Sequence, residues 1–163
     1  MSAIRHTIRV VATPDLIPIN HEPGYRTDTI GRFADGQFFG SVTAGFADGI
    51  APDGDWAAYK RWYAVLHRFD HEGNHVSSDI QFAGTTADGE ARVVEKAAGM
   101  LRQWLDDLPG RSYGHIAIRP FQVEVDGVAF GLIDETEEDG DGYVELYPDE
   151  LGFYEPWEGD YDT

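Results

Sequence analysis

Residues 62–82, WYAVLHRFDHEGNHVSSDIQF, hold the pattern that decides the fold. Trp62 to Phe69 is an apolar run, Asp70 to Asn74 is a turn cluster containing Gly73, and Val76, Ser78, Ile80 and Phe82 then alternate with Ser77, Asp79 and Gln81. Alternation with a period of two marks a strand buried on one face, so the stretch predicts an antiparallel hairpin. Immediately downstream the period changes to about 3.6 residues. Val94, Ala97, Ala98, Leu101, Leu105 and Leu108 fall on one stripe, with Arg92, Glu95, Arg102, Gln103 and Asp106 facing away. This predicts an amphipathic helix over about 88–108, capped by Thr86 or Asp88 and stopped by Pro109-Gly110.

Two further hairpins flank this pair. Thr29 to Phe46 turns at Asp35-Gly36 and places Phe38, Val42, Ala44 and Phe46 on one face. Phe121, Val123 and Val125 lead through Asp126-Gly127, which accept the positive φ of a tight turn, into Val128, Phe130 and Leu132. Pro120 lacks an amide donor and predicts an edge or bulge there. Residues 53–61 suggest a short helix with Trp56, Tyr59 and Tyr63 on one face. Strands, helix, strands reads as an α+β fold, an antiparallel sheet built from hairpins with the long helix packed on one face.

The chain has 163 residues, 42% of them hydrophobic, and suits a single domain over 1–163 with an ordinary core. The absence of cysteine excludes disulfides, thiolate zinc sites, iron–sulfur clusters and a cysteine nucleophile. Lacking a signal-like start and any long apolar run, the chain is expected to be soluble and cytoplasmic. The net charge is −18 and it is lopsided. Residues 1–119 hold all 12 bases and 15 acids, whereas 120–163 hold 15 acids and no base. Nucleic acid and anionic membranes, which need clustered Lys and Arg, are disfavoured partners.

The acidic end is also aromatic. Residues 134–163 form an acidic aromatic C-terminal region in which Tyr143, Tyr147, Phe153, Tyr154, Trp157 and Tyr161 stand among acids that include Glu158 and Asp160. Rings with a polar edge anchor protein interfaces, and acids around them steer a basic partner. These eight residues are the candidate partner-binding set. The competing reading is that the rings fold onto the chain's own body.

His71-Glu72-Gly73-Asn74-His75 matches H-E-x-x-H, which on a helix places two imidazoles one turn apart to bind zinc. Here Gly-Asn sits at its centre between two strand-like runs, so a solvated turn is the expectation, with His71 and His75 the candidate ligands for a zinc-dependent hydrolase. Glu137, Asp139, Asp141 and Gly142 open like a calcium loop, but Pro148 stands where the twelfth-position Glu should be. Nucleotide-binding glycine motifs and a nucleophile elbow are absent. No cofactor and no catalytic residue is assigned.

Three stretches, IPINHEPGYRTDTIGRFADGQFFGSV, YAVLHRFDHEGNHVSSDIQFAGTTADGE and ELYPDELGFYEPWEGDYDT, resemble small actinobacterial proteins labelled formate hydrogenlyase regulatory protein. The resemblance spans about residues 16–163 and implies a cytoplasmic regulator that acts by binding another protein rather than an enzyme. Residues 1–15 lie outside it and are expected to be a mobile start. The leading expectation is thus a small acidic regulatory or binding protein with a basic protein partner. An immunity or decoy protein that masks a cationic toxin or nucleic-acid enzyme is the alternative within that class.

Overall fold

The computed structural model describes residues 12–47 and 54–163. Among these residues, eleven strands and one main helix make an α+β fold. The strands are β1 (Ile17–Ile19), β2 (Ile30–Phe33), β3 (Gly36–Gly45), β4 (Arg61–Phe69), β5 (His75–Thr85), β6 (Ser112–Tyr113), β7 (Ile116–Ile118), β8 (Phe121–Val125), β9 (Val128–Asp134), β10 (Tyr143–Tyr147) and β11 (Leu151–Tyr154). The helices are α1 (Trp56–Tyr59) and α2 (Glu90–Asp106), the latter preceded by a 3-10 turn over Thr86–Asp88.

All pairings are antiparallel and form three sheets: a central one ordered β5-β4-β3-β2-β6, a C-terminal one ordered β11-β10-β9-β8, and the pair β1-β7. The three predicted hairpins are present as β2–β3, β4–β5 and β8–β9. At the last turn Asp126 and Gly127 adopt φ of 54° and 77°, which the Asp-Gly pair accommodates. The third hairpin does not extend the central sheet, however. It joins β10 and β11 in a second sheet that covers the face opposite the helix.

The middle of the central sheet, in β3 and β4, is consequently covered on both sides. Phe38, Ala64, Leu66 and Ala83 pack against Val93, Ala97, Leu101, Leu105 and Leu108 of the helical segment. On the other side Phe39 and Phe69 meet Ile17, Ile19, Ile116, Ile118, Leu132, Val144, Leu146, Leu151 and Phe153, while Tyr63 and Val65 meet Val128 and Phe130. This is why Phe38 and Phe39, adjacent in sequence and pointing to opposite faces, are both buried.

The helix lies within the predicted range, but its buried stripe is rotated. Val93 rather than Val94 enters the core, and Val94 and Ala98 remain half-buried. Asp88 serves the turn before the helix, accepting from the Thr85 backbone N–H at 2.9 Å, while Gly89, at φ 106°, begins α2 with no side-chain cap. Arg111 pairs with Asp106 at 3.7 Å and donates to the Leu105 carbonyl, placing a cation at the helix C-terminus, whose last turn has no base of its own.

Two local expectations need correction. The register shifts between Arg68 and Phe69, which pair with Ser77 and His75, so Val76 is the extra residue of a bulge and leaves the row of Ser78, Ile80 and Phe82; it is 65% exposed. The short helix spans only Trp56–Tyr59, both of those aromatics are exposed, and Tyr63 is a fully buried strand residue instead of part of its face. Residue 53 and residues 1–11 lie outside the described residues; of the expected mobile start, Thr13 is placed with its Oγ1 3.1 Å from Thr136 Oγ1.

Candidate functional site: the acidic outer face of the C-terminal sheet

Period-two alternation in β10 and β11 sorts the acidic region into two faces. Val144, Leu146, Leu151 and Phe153 point inward and are buried. Tyr143, Glu145 and Tyr147 take the opposite side, and the register sets Tyr143 beside Tyr154 and Glu145 beside Gly152. Gly152 makes room there, because a Cβ would come within 2.5 Å of the Tyr143 hydroxyl and displace that ring. Removing that side chain lets the Tyr143 ring lie across the neighbouring strand, stacked at 6.4 Å on Tyr154.

Each outward tyrosine is tied to a carboxylate. Tyr143 donates to Glu145 Oε1 at 2.8 Å, Tyr147 to Glu135 Oε1 at 2.8 Å, and Tyr154 to Asp162. Partial desolvation, with the Glu145 carboxylate as acceptor, pushes the Tyr143 phenol up to about 12. Tyr147 is raised by desolvation and by Glu135 and Glu145, and Tyr154 by its bond to Asp162. Neutral at physiological pH as any phenol is, these three groups act as donors that fix the Glu145, Glu135 and Asp162 carboxylates. Past Tyr154 the chain turns back, and Gly152 and Asp162 form a backbone bridge. Tyr154, Glu155, Glu158, Asp160 and Asp162 line a hollow of about 160 Å³ there.

The eight candidate partner-binding residues divide between these faces. Tyr143, Tyr147 and Tyr154 occupy the outer face, and Glu158 and Asp160 are exposed at the hollow, Asp160 accepting from Asn20 Nδ2 at 3.0 Å. Phe153 is buried, and Trp157 and Tyr161 pack partly buried against the same core, with the Tyr161 hydroxyl 3.2 Å from Thr27 Oγ1. Those three rings hold the region to the body of the protein. Glu135, Glu145, Glu155 and Asp162 belong to the outer surface and were not in the candidate set. Outward alternation in Tyr143-Val144-Glu145-Leu146-Tyr147 is the signal that points to Glu145.

The H-E-x-x-H segment is a strand-connecting turn. Asp70 organises it by accepting from the backbone N–H groups of Glu72 and Asn74 and from Asn74 Nδ2, which holds its carboxyl below the ordinary range. His71 donates to the Ala34 carbonyl at 3.2 Å, whereas His75 turns to the Ser78 hydroxyl at 2.7 Å, so the two imidazoles serve different partners. Among the described residues no group of three His, Asp or Glu is placed to hold a metal ion. Ser78 Oγ also lies 2.6 Å from His67 Nδ1. His67 is buried among Phe39, Phe69 and Phe121, and this burial, with neighbouring His75 second, lowers its pKa to about 3. The imidazole is thus a neutral packing group that shares a hydroxyl.

Among the described residues no helix is long and apolar enough to cross a membrane. The chain matches no family model, no curated protein and no solved structure.

Proposed function

We propose that this protein is a non-enzymatic regulatory or binding protein whose acidic outer face holds a basic segment of a protein partner. The observation that carries the reading is the hollow lined by Tyr154 together with Glu155, Glu158, Asp160 and Asp162. An arginine entering it meets carboxylates suited to bidentate hydrogen bonds and a phenol ring suited to cation–π contact. The stacked Tyr143–Tyr154 pair continues the surface along the sheet with aromatic area and little rotamer entropy to lose. With no base after Arg119, the face attracts cations at long range and repels phosphates. Occupancy of a partner's cationic surface is the mode of action, whether that surface belongs to a regulator or to the cleft of a nucleic-acid enzyme.

Deleting residues 151–163 is unsuited to test this, because it removes buried Leu151 and Phe153. A Glu155→Gln/Glu158→Gln/Asp160→Asn variant removes charge and leaves the core intact. Cross-linking and mass spectrometry on lysate should recover a basic protein with the wild type that is lost with the variant and at high salt. Capture that the variant retains, or that is indifferent to salt, overturns the proposal.

A further inference from the structure

The rotation of the α2 stripe leaves an apolar surface that the core does not use. Val94 and Ala98, one helical turn apart, form with Leu101 one wall of a cleft on the helix side of the central sheet. The other wall comes from Val42 and Ser41 of β3 and from the segment around Tyr25 and Thr29. The cleft measures about 400 Å³, within the size range of small-molecule sites.

Charge at its rim is unequally satisfied. Asp149 is nearly enclosed, accepts from Thr43 Oγ1 at 2.5 Å and lies 3.5 Å from Arg26. Asp28 accepts from Thr29 Oγ1 at 2.9 Å. Asp149 is thus paired with Arg26, whereas Asp28, held only by a neutral hydroxyl, keeps its charge at the exposed edge of the rim. Lys60, in the adjoining part of the groove beyond Val42, pairs with Glu90 at 3.7 Å. Arg102 reaches the cleft from α2 with no acid at ion-pair distance among the described residues, and the exposed Arg26 guanidinium retains spare N–H donors. Apolar walls beneath unmet guanidinium donors match a ligand with a hydrocarbon body and an anionic head.

We propose that this cleft binds a small amphipathic carboxylate, its apolar body against Val42, Val94 and Ala98 and its carboxylate at Arg102 and Arg26. The site is separate from the acidic face and does not depend on the function proposed there. Calorimetric titration with octanoate, 1-octanol and octylamine tests it. Octanoate should bind the wild type saturably at one per chain, Arg102→Gln should weaken octanoate about tenfold while leaving 1-octanol unchanged, and Ala98→Trp should fill the cleft and abolish octanoate binding. Arg102 is exposed, so its substitution remains readable even where Ala98→Trp disturbs folding. No saturable octanoate binding, unchanged octanoate affinity in Arg102→Gln, or octylamine binding more tightly than octanoate in a manner that Ala98→Trp removes would each overturn the proposal.

Discussion

The central sheet wears two different covers. On one face α2 lays down a narrow row of Val93, Ala97, Leu101 and Leu105, and the edge of its apolar stripe stays open as a cleft. On the other face the most acidic part of the chain closes completely, with Leu132, Val144, Leu146, Leu151 and Phe153 all at or below 2% exposure. Average charge is thus a poor guide to burial. In β10 and β11 the acid stands at an outward position and apolar residues stand inward, so a base-free segment still supplies a full core layer. In the helix, 100° steps spread apolar residues over a wider arc than one flat sheet can cover.

Cavity-forming substitutions give the largest effects and test whether the two covers are equally integral. Phe153→Ala is expected to reduce the unfolding free energy by about 4 kcal/mol and Leu101→Ala by about 3 kcal/mol, measured by urea denaturation. A loss below about 1 kcal/mol for Phe153→Ala would make the C-terminal sheet an appendage instead of a layer.

Acidification sharpens the contrast, because His67 lies on the face under the C-terminal sheet. Its folded pKa of about 3 is below the ordinary 6.5, so the unfolded chain binds more protons between those values and stability falls as pH drops through that window. Between pH 7.5 and 5 this amounts to about 2 kcal/mol, read from urea midpoints. His67→Leu should flatten the dependence; an equally steep profile in that variant would assign it to other groups.

Smaller effects follow at the boundary and on the outer surface. Thr43→Val removes the short hydrogen bond to the enclosed Asp149 carboxylate and should cost about 1–2 kcal/mol in thermal or chemical unfolding. Glu155→Gln/Glu158→Gln, both at exposed positions, should change stability by less than about 0.5 kcal/mol while partner capture is lost. A large stability change there would make the hollow part of the scaffold.

Elements with a clear local period were legible in kind and extent, namely the β4–β5 hairpin with its turn at Asp70 to Asn74, the α2 helix, and the β8–β9 hairpin through Asp126-Gly127, while the bulge at Val76 and the rotation that buries Val93 were not. β10 and β11 carry a weaker strand signal, because their alternation is interrupted at Pro148-Asp149 and outweighed by surrounding acids. The β1–β7 pair joins Ile17 to Ile118, and nothing local in either three-residue run announces the other. At the candidate site the residue classes were legible, but which rings face out was not. Phe153 and Tyr154 are neighbours of similar character, and only the register with Val144 and Tyr143 separates them.

The amino-acid order by itself determined the α+β class, the helix, the main hairpins and the concentration of negative charge after Arg119, since these depend on periodicity and composition within short windows. Tertiary structure alone decided that the acidic end is a second sheet, that Phe153, Trp157 and Tyr161 anchor it, and that Val94 and Ala98 border a cleft. Those outcomes depend on which strands meet across long sequence separations, and one residue of register exchanges the buried and exposed faces of a strand.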